Sequence, residues 1–576
     1  MEKKEKNKES IRVGVFVCHC GSNIAGVIDC AALADYAKTL PNVAHSEHNL
    51  YMCSENGLTN IKKAIEENNL NRIVVASCTP RTHEPLFREC ISEAGLNPYL
   101  FNFVNIREQC SWVHMKYPIE ALEKAKDLIC MGVAKATKLE PLEMITVEIN
   151  PSALVIGGGI SGMSSAINLS RQGFKTYLVE KESKLGGRLN SLYKLFPHNT
   201  DASKLIKNLR NKVQSAQKLE VYKSATVKSI DGYVGNFEVE IEQYGDIIKL
   251  TVGAIIVAVG ASEFKPINHF AYDGSKRISQ YELESKLKFD EIHMNNIVMI
   301  QCVGARNDDR PYCSSVCCMT ALKNGLIIKE KNPDANVTIL FRDLYTPGSY
   351  EDYYKKARES GILFIKYHPE KLLSVEENQV KVFNEYIGED IIIPYDLLVL
   401  STPLVANDDN KDLAQMLKVP LESNNFFLEA HVKLRPNDFA TDGIFISGSA
   451  KWPSDVSESI TQGYAAAARA STIISKKEMK VMATIAEIDE DLCNGCGDCR
   501  DECVYNAILM VETELEFDTA RDLLEPAIIL TRNKSKVIPA VCKGCGVCAG
   551  VCPVGAITLK HFTDDQLSVM IESYLD

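Results

Sequence analysis

The sequence lacks the long apolar runs, the leader and the excess positive charge that mark several classes of protein. No stretch approaches the roughly 18 consecutive apolar residues of a membrane-spanning helix. The first ten residues, MEKKEKNKES, have no apolar core, so no secretory signal peptide is visible. The formal net charge of −12 argues against nucleic acid as a main partner. These absences predict a cytoplasmic protein with no membrane span.

Cysteine is missing from long parts of the chain and concentrated in others. There is none between Cys130 and Cys302, or between Cys318 and Cys493, although the chain has 20. A disulfide-stapled secreted protein is usually short, with cysteines spread evenly, and cytoplasmic thiols stay reduced. The clustering therefore favours metal or iron–sulfur sites over disulfides.

The length and the order of the apolar segments predict an α/β protein of several domains. A chain of 576 residues with 45% apolar and 24% charged residues suits about three to five globular domains. IRVGVFVC (11–18) and NRIVVASC (71–78) have the pattern of buried parallel strands. We predict an N-terminal α/β domain at 1–145, a dinucleotide-binding domain at 150–290 plus 430–478, a second α/β unit at 291–429, and a cysteine-rich α+β domain at 484–576.

The last predicted domain contains two copies of the run C-x2-C-x2-C-x3-C. This is the ligand spacing of two-cluster ferredoxins, in which the fourth cysteine of each run binds the other cluster. The alternative, a zinc site, more often pairs two C-x2-C hooks. We assign one [4Fe–4S] cluster to Cys493, Cys496, Cys499 and Cys552, and the other to Cys542, Cys545, Cys548 and Cys503.

A G-x-G-x-x-G motif follows the apolar segment ALVI. Gly157, Gly159 and Gly162 open a predicted helix, and the acidic Glu180, followed by Lys181, ends the next predicted strand. Such glycines admit a pyrophosphate to the helix N-terminus, and the carboxylate can bind ribose hydroxyls. The alternative is a dinucleotide-type core that binds nothing.

Three later segments resemble motifs of two-dinucleotide flavoproteins and favour FAD over NAD. Gly187 and Arg188 belong to a second glycine motif, and Ala258 and Gly260 end the apolar strand IIVAVGA. The C-terminal segment of such flavoproteins usually approaches the flavin ring. Here it supplies Gly448, Gln462 and Ala465.

The second α/β unit has a degenerate nucleotide loop. In such flavoproteins this unit usually binds NAD(P)H through its own glycines, but IQCVGAR (300–306) keeps only one. We therefore predict lost or strongly altered nucleotide binding. Four cysteines occupy the same place, and they are either a further cluster site or buried core thiols: Cys302, Cys313, Cys317 and Cys318.

Nearly the whole chain resembles the iron-sulfur A subunits of heterodisulfide reductases. The likeness is carried by GVFVCHCGSNIAGVID, NLYMCSENG, ASCTPRTHEPLFR, the flavin motifs, the terminal ferredoxin runs and QCVGARNDDRPYCSSVCCMTALK. It implies a thioredoxin-reductase-like flavoprotein core, FAD, several [4Fe–4S] clusters and flavin-based electron bifurcation. It also implies that the four cysteines of the second unit bind a cluster and that Lys323 lies near flavin N5. A surface lysine is the alternative for Lys323.

Some members of this family carry an extra ferredoxin module inserted in the flavin domain. This chain has no cysteine between Cys130 and Cys302 and therefore no such module. The resemblance implies other heterodisulfide reductase-like subunits, an electron donor linked to hydrogenase, formate or NADH, and ferredoxin. We expect a homodimer within that complex.

The N-terminal domain holds eight cysteines. Cys18, Cys20, Cys53 and Cys78 follow predicted strands or lie in loops, so they could converge at one sheet edge on a further cluster. Cys30, Cys90, Cys110 and Cys130 have the pattern of core thiols. We expect this domain to dock another protein of the complex.

The predicted function is electron transfer between a flavin and one-electron carriers. No cysteine pair of the flavin domain has the C-x2-C spacing, so this chain alone is not expected to reduce a disulfide. The alternatives are a self-contained NAD(P)H-dependent oxidoreductase and a non-catalytic scaffold that binds the cofactors.

Overall fold

The computed structural model describes residues 10–292, 294–371, 373–481, 483–514 and 531–575, and they form two compact units. One unit combines the chain up to Ile145 with the chain from Lys480 onward, and the other is Thr146–Met479. The first unit therefore contains both the N-terminal domain and the ferredoxin-type domain.

The N-terminal domain is a four-stranded parallel sheet flanked by helices. Its strands are apolar and rich in Val because both faces are covered; all six residues of the strand Val13–Cys18 are buried. In spatial order the strands are Val43–Asn49, Val13–Cys18, Arg72–Ser77 and Phe101–Asn105. The helices are Ser22–Ala25, Cys30–Lys38, Glu55–Glu67, Pro80–Glu93, the π-helical turn Arg107–Ser111, and Pro118–Thr137.

The ferredoxin-type domain consists of two antiparallel strand pairs and short helices. Ala486–Ile488 pairs with Ile557–Leu559, and Ile508–Glu514 pairs with Thr531–Val537. The helices Asp498–Asp501 and Val547–Val551 each begin inside a cysteine run, and Asp564–Leu575 follows the last strand of the domain.

The helix Asp564–Leu575 packs against Pro118–Thr137 of the same unit. The Gln566 side chain donates to the Lys138 carbonyl at 3.0 Å, and the Lys135 ammonium lies 3.7 Å from the centre of the Phe562 ring. Burial lowers the pKa of Lys135 to about 8. The last described helix is thus a structural part of the N-terminal domain.

The second unit contains two five-stranded parallel sheets, each accompanied by a three-stranded antiparallel sheet. In the first parallel sheet the spatial order is Leu219–Lys223, Lys175–Glu180, Ser152–Ile156, Ala254–Val257 and Ile444–Ile446. Its antiparallel partner is Ala225–Tyr233, Asn236–Gln243 and Asp246–Val252. The helices around it are Ile160–Arg171, Ala202–Ser215, Asn410–Leu417 and Val456–Ile474, with 3-10 turns at Gly187–Asn190 and Gly448–Ala450.

The second parallel sheet begins earlier in the chain than residue 291, the boundary predicted from the sequence. Its spatial order is Arg277–Ser279, Leu397–Leu400, Asn296–Ile300, Asn336–Phe341 and Leu363–Lys366. Its antiparallel partner is Ser374–Val375, Gln379–Asn384 and Glu389–Pro394. Its helices are Gln280–Lys288, Cys317–Lys331 and Glu351–Glu359, with a 3-10 turn at Gly348–Tyr350, and Ser262–Glu263 pairs with Leu404–Val405.

The helix Asn410–Leu417 belongs with the first sheet rather than the second. Leu413 and Leu417 pack in one core with Ile255 and Ile444 of that sheet. The second sheet and its helices therefore lie within about 277–405, whereas the sequence predicted 291–429.

Helices long and apolar enough to cross a membrane are absent from the part of the chain that the structure describes.

Candidate functional site

A cavity of about 540 Å³ lies in the second unit, at the carboxyl ends of the first sheet's strands. Loops of the first sheet supply one part of its wall: Gly157, Gly159, Glu180, Lys181, Gly187, Arg188, Ala258, Gly260 and Ser447. The second sheet's helices and the loop before one of them supply another: Gln280, Tyr281, Glu284, Val316, Cys317, Thr320 and Lys323. This volume is in the range of cofactor sites.

The glycines of the G-x-G-x-x-G motif play two different parts in this wall. A side chain at Gly162 would place its Cβ 1.9 Å from the Gly157 carbonyl oxygen, and one at Gly157 would meet the Ala258 carbonyl oxygen at 2.4 Å. These two glycines allow the helix Ile160–Arg171 to pack closely on the strands. A Cβ on Gly159, by contrast, would meet nothing within 4 Å, so the backbone there is open to a ligand.

Two buried hydroxyls at the cavity have no partner among the described residues. They are Ser161 Oγ and Ser447 Oγ, on residues 5% and 0% exposed. Buried polar groups without partners are rare in proteins. Together with Gly157, Gly159 and Gly162, here called the glycine cradle, and the N-terminus of the helix Ile160–Arg171, these hydroxyls fit a polar, phosphate-containing ligand of dinucleotide size.

Glu180 is held in place at the end of its strand. Its carboxylate accepts hydrogen bonds from the backbone N–H groups of Gly158 at 2.7 Å and Glu182 at 2.8 Å. Lys181 lies at the exposed edge of the cavity, where its ammonium pairs with Asp409 at 2.8 Å. Asp409 precedes the helix Asn410–Leu417, and no motif in the sequence places it here.

Of the predicted C-terminal flavin residues, Gly448, Gln462 and Ala465 do not line the cavity. Gln462 Oε1 accepts a hydrogen bond from Gly448 N at 2.9 Å, so it supports the loop behind the wall. Their neighbours Ser447, Ser449 and Ser459 face the cavity instead. Arg188 does line it and donates to the Tyr281 hydroxyl at 2.6 Å.

Lys323 forms a buried ion pair with Glu284 in the cavity wall. The two side chains are 2% and 1% exposed, and Lys323 Nζ also donates to the Lys194 carbonyl at 2.8 Å. Burial lowers the pKa of Lys323 to about 7, while contact with a carboxylate favours the ammonium. Sequence reasoning missed Glu284, because its helix Gln280–Lys288 has no motif and the two residues are 39 positions apart.

Cys302, Cys313, Cys317 and Cys318 come together at the start of the helix Cys317–Lys331. The pKa of Cys302 is raised to about 11 by burial, then by Cys318 and Cys313. The pKa of Cys317 is raised by its hydrogen bond to Cys318, then by burial and by Cys302 and Cys313. Four thiols that affect one another in this way fit a cluster site, and Cys317 also lines the large cavity.

The loop 301–316, which carries Cys302 and Cys313, has no open glycine cradle. A Cβ on Gly304 would lie 2.4 Å from the Phe264 ring, so this ring covers the one glycine of the loop. Residues 301–316 separate the strand Asn296–Ile300 from the helix Cys317–Lys331. The N-terminus of this helix therefore does not directly follow the loop 300–306, as it would in a nucleotide-binding turn.

The ferredoxin-type domain brings Cys503 together with Cys542, Cys545 and Cys548. All four line one small cavity. The pKa of Cys548 is raised to about 11 by burial, then by Cys542 and Cys545, with a smaller effect of Cys503. This grouping is the cross-run set assigned from the sequence.

The other C-terminal cysteine set has matching local features. The pKa of Cys499 is raised by burial, with contributions from Cys496 and Cys493. The Cys552 thiol accepts from Ala556 N at 3.3 Å, as the Cys503 thiol accepts from Ala507 N at 3.2 Å. A Cβ on Gly495 would meet the Asn533 carbonyl oxygen at 2.1 Å, so this turn requires glycine.

Cys18, Cys20, Cys53 and Cys78 converge at the carboxyl ends of the N-terminal sheet. Burial raises the pKa of Cys53 and of Cys78, and Cys18 and Cys20 contribute to both shifts. The Arg107 guanidinium donates to the Cys20 thiol at 3.4 Å. The arrangement fits a cluster site, while Cys30, Cys90 and Cys110 are buried thiols.

Two sequence families match parts of the chain. Residues 151–304 match pyridine nucleotide-disulphide oxidoreductases, and residues 492–556 match the 4Fe-4S dicluster domain. The first match covers the glycine cradle and the second covers both cysteine runs. FAD and [4Fe–4S] clusters are the cofactors that these domains indicate.

Curated relatives cover almost the whole chain. The second iron-sulfur A subunit of the CoB–CoM heterodisulfide reductase of Methanopyrus kandleri is 38% identical over 88% of this chain and 92% of its own length. The chain belongs to the family of heterodisulfide reductase A subunits. It is accordingly an oxidoreductase with a flavoprotein core and a two-cluster ferredoxin domain.

Other members of this heterodisulfide reductase family differ in the electron carriers that their names give. The A subunit of the H2:CoB–CoM heterodisulfide, ferredoxin reductase of Methanothermobacter thermautotrophicus is 36% identical over 90% of this chain and 94% of its own length. Its counterpart in the ferredoxin/F420H2-dependent CoB–CoM heterodisulfide reductase of Methanosarcina acetivorans is 33% identical over 86% of this chain and 75% of its own. Among solved structures, Thermoplasma acidophilum thioredoxin reductase matches 56% of this chain and 99% of its own, with 17% identity and a TM-score of 0.39.

Proposed function

We propose that this protein is the electron-transfer component of a heterodisulfide reductase-like complex and that it takes part in flavin-based electron bifurcation. The observation that carries the proposal is the position of Cys317, which belongs to the four-cysteine set and also lines the flavin cavity. An electron carrier held by that set would adjoin the flavin directly. When bound, FAD exchanges electrons in pairs or singly, and clusters exchange them singly.

We assign the flavin to the large cavity. Gly159 would admit its pyrophosphate, Gly157 and Gly162 would let the helix N-terminus approach it by close packing on the strands, and Glu180 would bind ribose. The other predicted flavin-binding residues in the wall of this cavity are Gly187, Arg188, Ala258 and Gly260. Gln462 would act through the loop that carries Gly448, from whose N–H it accepts a hydrogen bond, and Ala465 stays a prediction from the sequence.

The Lys323–Glu284 pair would stabilise negative charge and exchange a proton beside the flavin. Lys323 lines the cavity, so its ammonium would stabilise negative charge on a reduced ligand there. Glu284 is close enough to take or return that proton. Burial lowers the pKa of the lysine and the nearby carboxylate raises it, and these opposing effects suit a lysine that exchanges its proton.

The ferredoxin-type domain would be one electron exit, toward ferredoxin, and a disulfide-reducing partner would receive the other electrons. The N-terminal cysteine set would hold a fourth cluster beside a docking face for the electron donor. Exposed apolar side chains support that role. Tyr51 lies two residues before Cys53, and the exposed segment with Trp112, Val113, Met115 and Tyr117 begins beside Arg107, which contacts both the Trp112 ring and the Cys20 thiol.

The iron content of the anoxically purified protein tests the cofactor assignment. Two ferredoxin clusters and the Cys302 set predict about twelve irons per FAD, and a fourth cluster predicts about sixteen. About eight irons per FAD would contradict the assignment of the Cys302 set.

Addition of NADH or NADPH to the isolated chain tests the self-contained alternative. We expect no rapid bleaching of the flavin, because the only glycine in the loop 300–306 is covered by Phe264. Rapid bleaching would overturn the proposal. In the assembled complex, bifurcation predicts that ferredoxin is reduced only while the disulfide is also being reduced.

A further inference from the structure

Gln301 has a buried carboxamide with no partner, next to the four-cysteine set. The residue is 0% exposed, and neither Nε2 nor Oε1 has a hydrogen-bond partner among the described residues. Its backbone is satisfied, because its N–H donates to the Leu340 carbonyl at 2.9 Å and its carbonyl accepts from the Tyr367 hydroxyl at 2.6 Å. Only the side chain lacks a partner, and such groups in a buried site indicate a ligand or an ordered water.

The strand before Gln301 indicates the direction of this side chain. Successive side chains of a strand point to opposite faces. Ile300 packs in the core on one face, with Leu340 and Leu400. Met299 packs on the other face with Met319 and Leu322, which belong to the helix Cys317–Lys331.

By this alternation Gln301 lies on the face of Met299, toward the helix end that carries Cys317 and Cys318. Cys302 follows it directly, with a left-handed φ of 61° that turns the chain into the cysteine loop. The same face continues to the large cavity, because Gln280 lines that cavity and its amide nitrogen lies 3.5 Å from the Met299 sulfur.

We propose that the Gln301 carboxamide donates an N–H···S hydrogen bond to the cluster held by Cys302, Cys313, Cys317 and Cys318 and thereby sets its redox potential. The inference rests on the proposed function, since it requires that cluster. N–H donors to cluster sulfur stabilise the reduced, more negative state. Gln301 would therefore be a positioning and tuning residue that leaves the number of ligands unchanged.

Two variants test the role of the amide in the full chain with all cofactors. Gln301→Met keeps the length of the side chain but removes the donor, and Gln301→Glu keeps its shape. Both should make the midpoint potential of this cluster more negative in an anoxic titration followed by EPR. The expected size is a tenfold higher ratio of oxidised to reduced cluster at a fixed potential, which corresponds to about 59 mV for one electron.

The buried Thr338→Val substitution is the matched control. Thr338 is 4% exposed and lies in the same sheet, on the strand Asn336–Phe341. This variant and the two ferredoxin clusters of every variant should keep their potentials. Cys313→Ser identifies which EPR signal belongs to the cluster in question.

An unchanged potential in both Gln301 variants, with unchanged iron content, would overturn the inference and leave the proposed function intact. Absence of a third cluster from the wild-type protein would instead remove the proposed function on which it rests. If both variants lose the cluster, their potentials cannot be compared, and the hydrogen bond is tested on the wild-type protein instead. With ¹⁵N only in glutamine amides, its reduced cluster should show a ¹⁵N coupling in pulsed EPR, and no coupling would refute the hydrogen bond.

Discussion

The two parallel sheets of Thr146–Met479 have the same plan but different loops at the same place. We call the sheet that contains Ser152–Ile156, with its helices, the flavin unit, and the sheet that contains Asn296–Ile300, with its helices, the degenerate unit. Each has a five-stranded parallel sheet accompanied by a three-stranded antiparallel one. Ser152–Ile156 is the central strand of the first parallel sheet and Asn296–Ile300 that of the second. After the first strand, the helix Ile160–Arg171 begins almost at once; after the second, residues 301–316 intervene.

The connection that follows the central strand is what distinguishes the glycine loop of the first sheet from the cysteine loop of the second. In the flavin unit the short glycine turn brings the helix N-terminus to the cavity. In the degenerate unit the longer loop carries Cys302 and Cys313, and the helix begins at Cys317. A shared fold thus carries two different sets of residues at the ends of its strands, and function depends on such residues more than on the fold.

If the glycine cradle defines the flavin unit, Gly162→Ala should have the largest effect. Its Cβ would lie 1.9 Å from the Gly157 carbonyl oxygen, so the helix must move and flavin should be lost. Gly159→Ala meets no protein atom within 4 Å and should fold normally, with FAD affinity at least about tenfold weaker. The flavin-to-protein ratio and the Tm measure both effects.

Gly325→Ala, on the helix of the degenerate unit, is the control for these two variants. Its nearest contact would be the end of the Ile362 side chain at 3.0 Å. Normal flavin content is expected, and loss of flavin in this variant would show that the effect is not specific to the cradle.

If the cysteine loop defines the degenerate unit, Cys302→Ser and Cys317→Ser should each lose about four irons per chain. FAD should remain, because neither residue belongs to the glycine cradle. Cys90→Ser, a buried thiol of the N-terminal domain that donates to the Leu58 carbonyl at 3.4 Å, should keep all irons. Iron and flavin analysis would contradict the prediction if the Cys302 and Cys90 variants behaved alike.

The degenerate unit also supplies the buried ion pair of the large cavity, and Glu284→Gln should destabilise the fold. Removing one partner of a buried pair costs about 3–5 kcal/mol of folding stability. The double variant Glu284→Leu with Lys323→Met should recover much of that loss, since no charge is left buried. Thermal unfolding followed by flavin fluorescence measures both, and an equal loss in the double variant would argue against the pair.

The same Glu284→Gln variant should become more stable as the pH rises above about 7. Burial lowers the pKa of Lys323 to about 7, against 10.5 for an unfolded lysine, and the variant has no carboxylate to favour the ammonium. Between these values the unfolded chain binds more protons, so the stability rises with pH. Unfolding of the variant relative to wild type at about pH 6.5 and about pH 8.5, on either side of that value, tests the sign.

The smallest effect is expected from Lys181→Ala at the cavity edge. Lys181 and Asp409 are 53% and 58% exposed, and such exposed pairs contribute less than about 1 kcal/mol. FAD affinity should change no more than severalfold, by less in high salt. A large loss of flavin would show that Lys181 contacts the cofactor itself.

The sequence predicted what lies in contiguous motifs and missed what long-range packing decides. Gly157, Gly159, Gly162 and the cysteine runs are readable because their spacing fixes local backbone geometry. Glu284 and Phe264 reach their sites from segments without motifs, through tertiary packing that periodicity cannot reveal.

The boundary of the degenerate unit shows the same limit. The strand Arg277–Ser279 has only three residues, too few to show a period, and its place depends on pairing with Leu397–Leu400. Gln462 was predicted at the flavin, but its amide oxygen accepts a bond from Gly448 N instead.

The packing of Asp564–Leu575 on Pro118–Thr137 sets an order of events during synthesis. Gln566 and Lys138, which are hydrogen-bonded, are 428 positions apart. The N-terminal domain leaves the ribosome first, yet one face of its longest helix remains uncovered until the last described helix emerges. The whole flavoprotein unit is made in the interval, so it can fold before the two outer parts join. A nascent chain stalled in the ferredoxin region would therefore expose this helix face to chaperones.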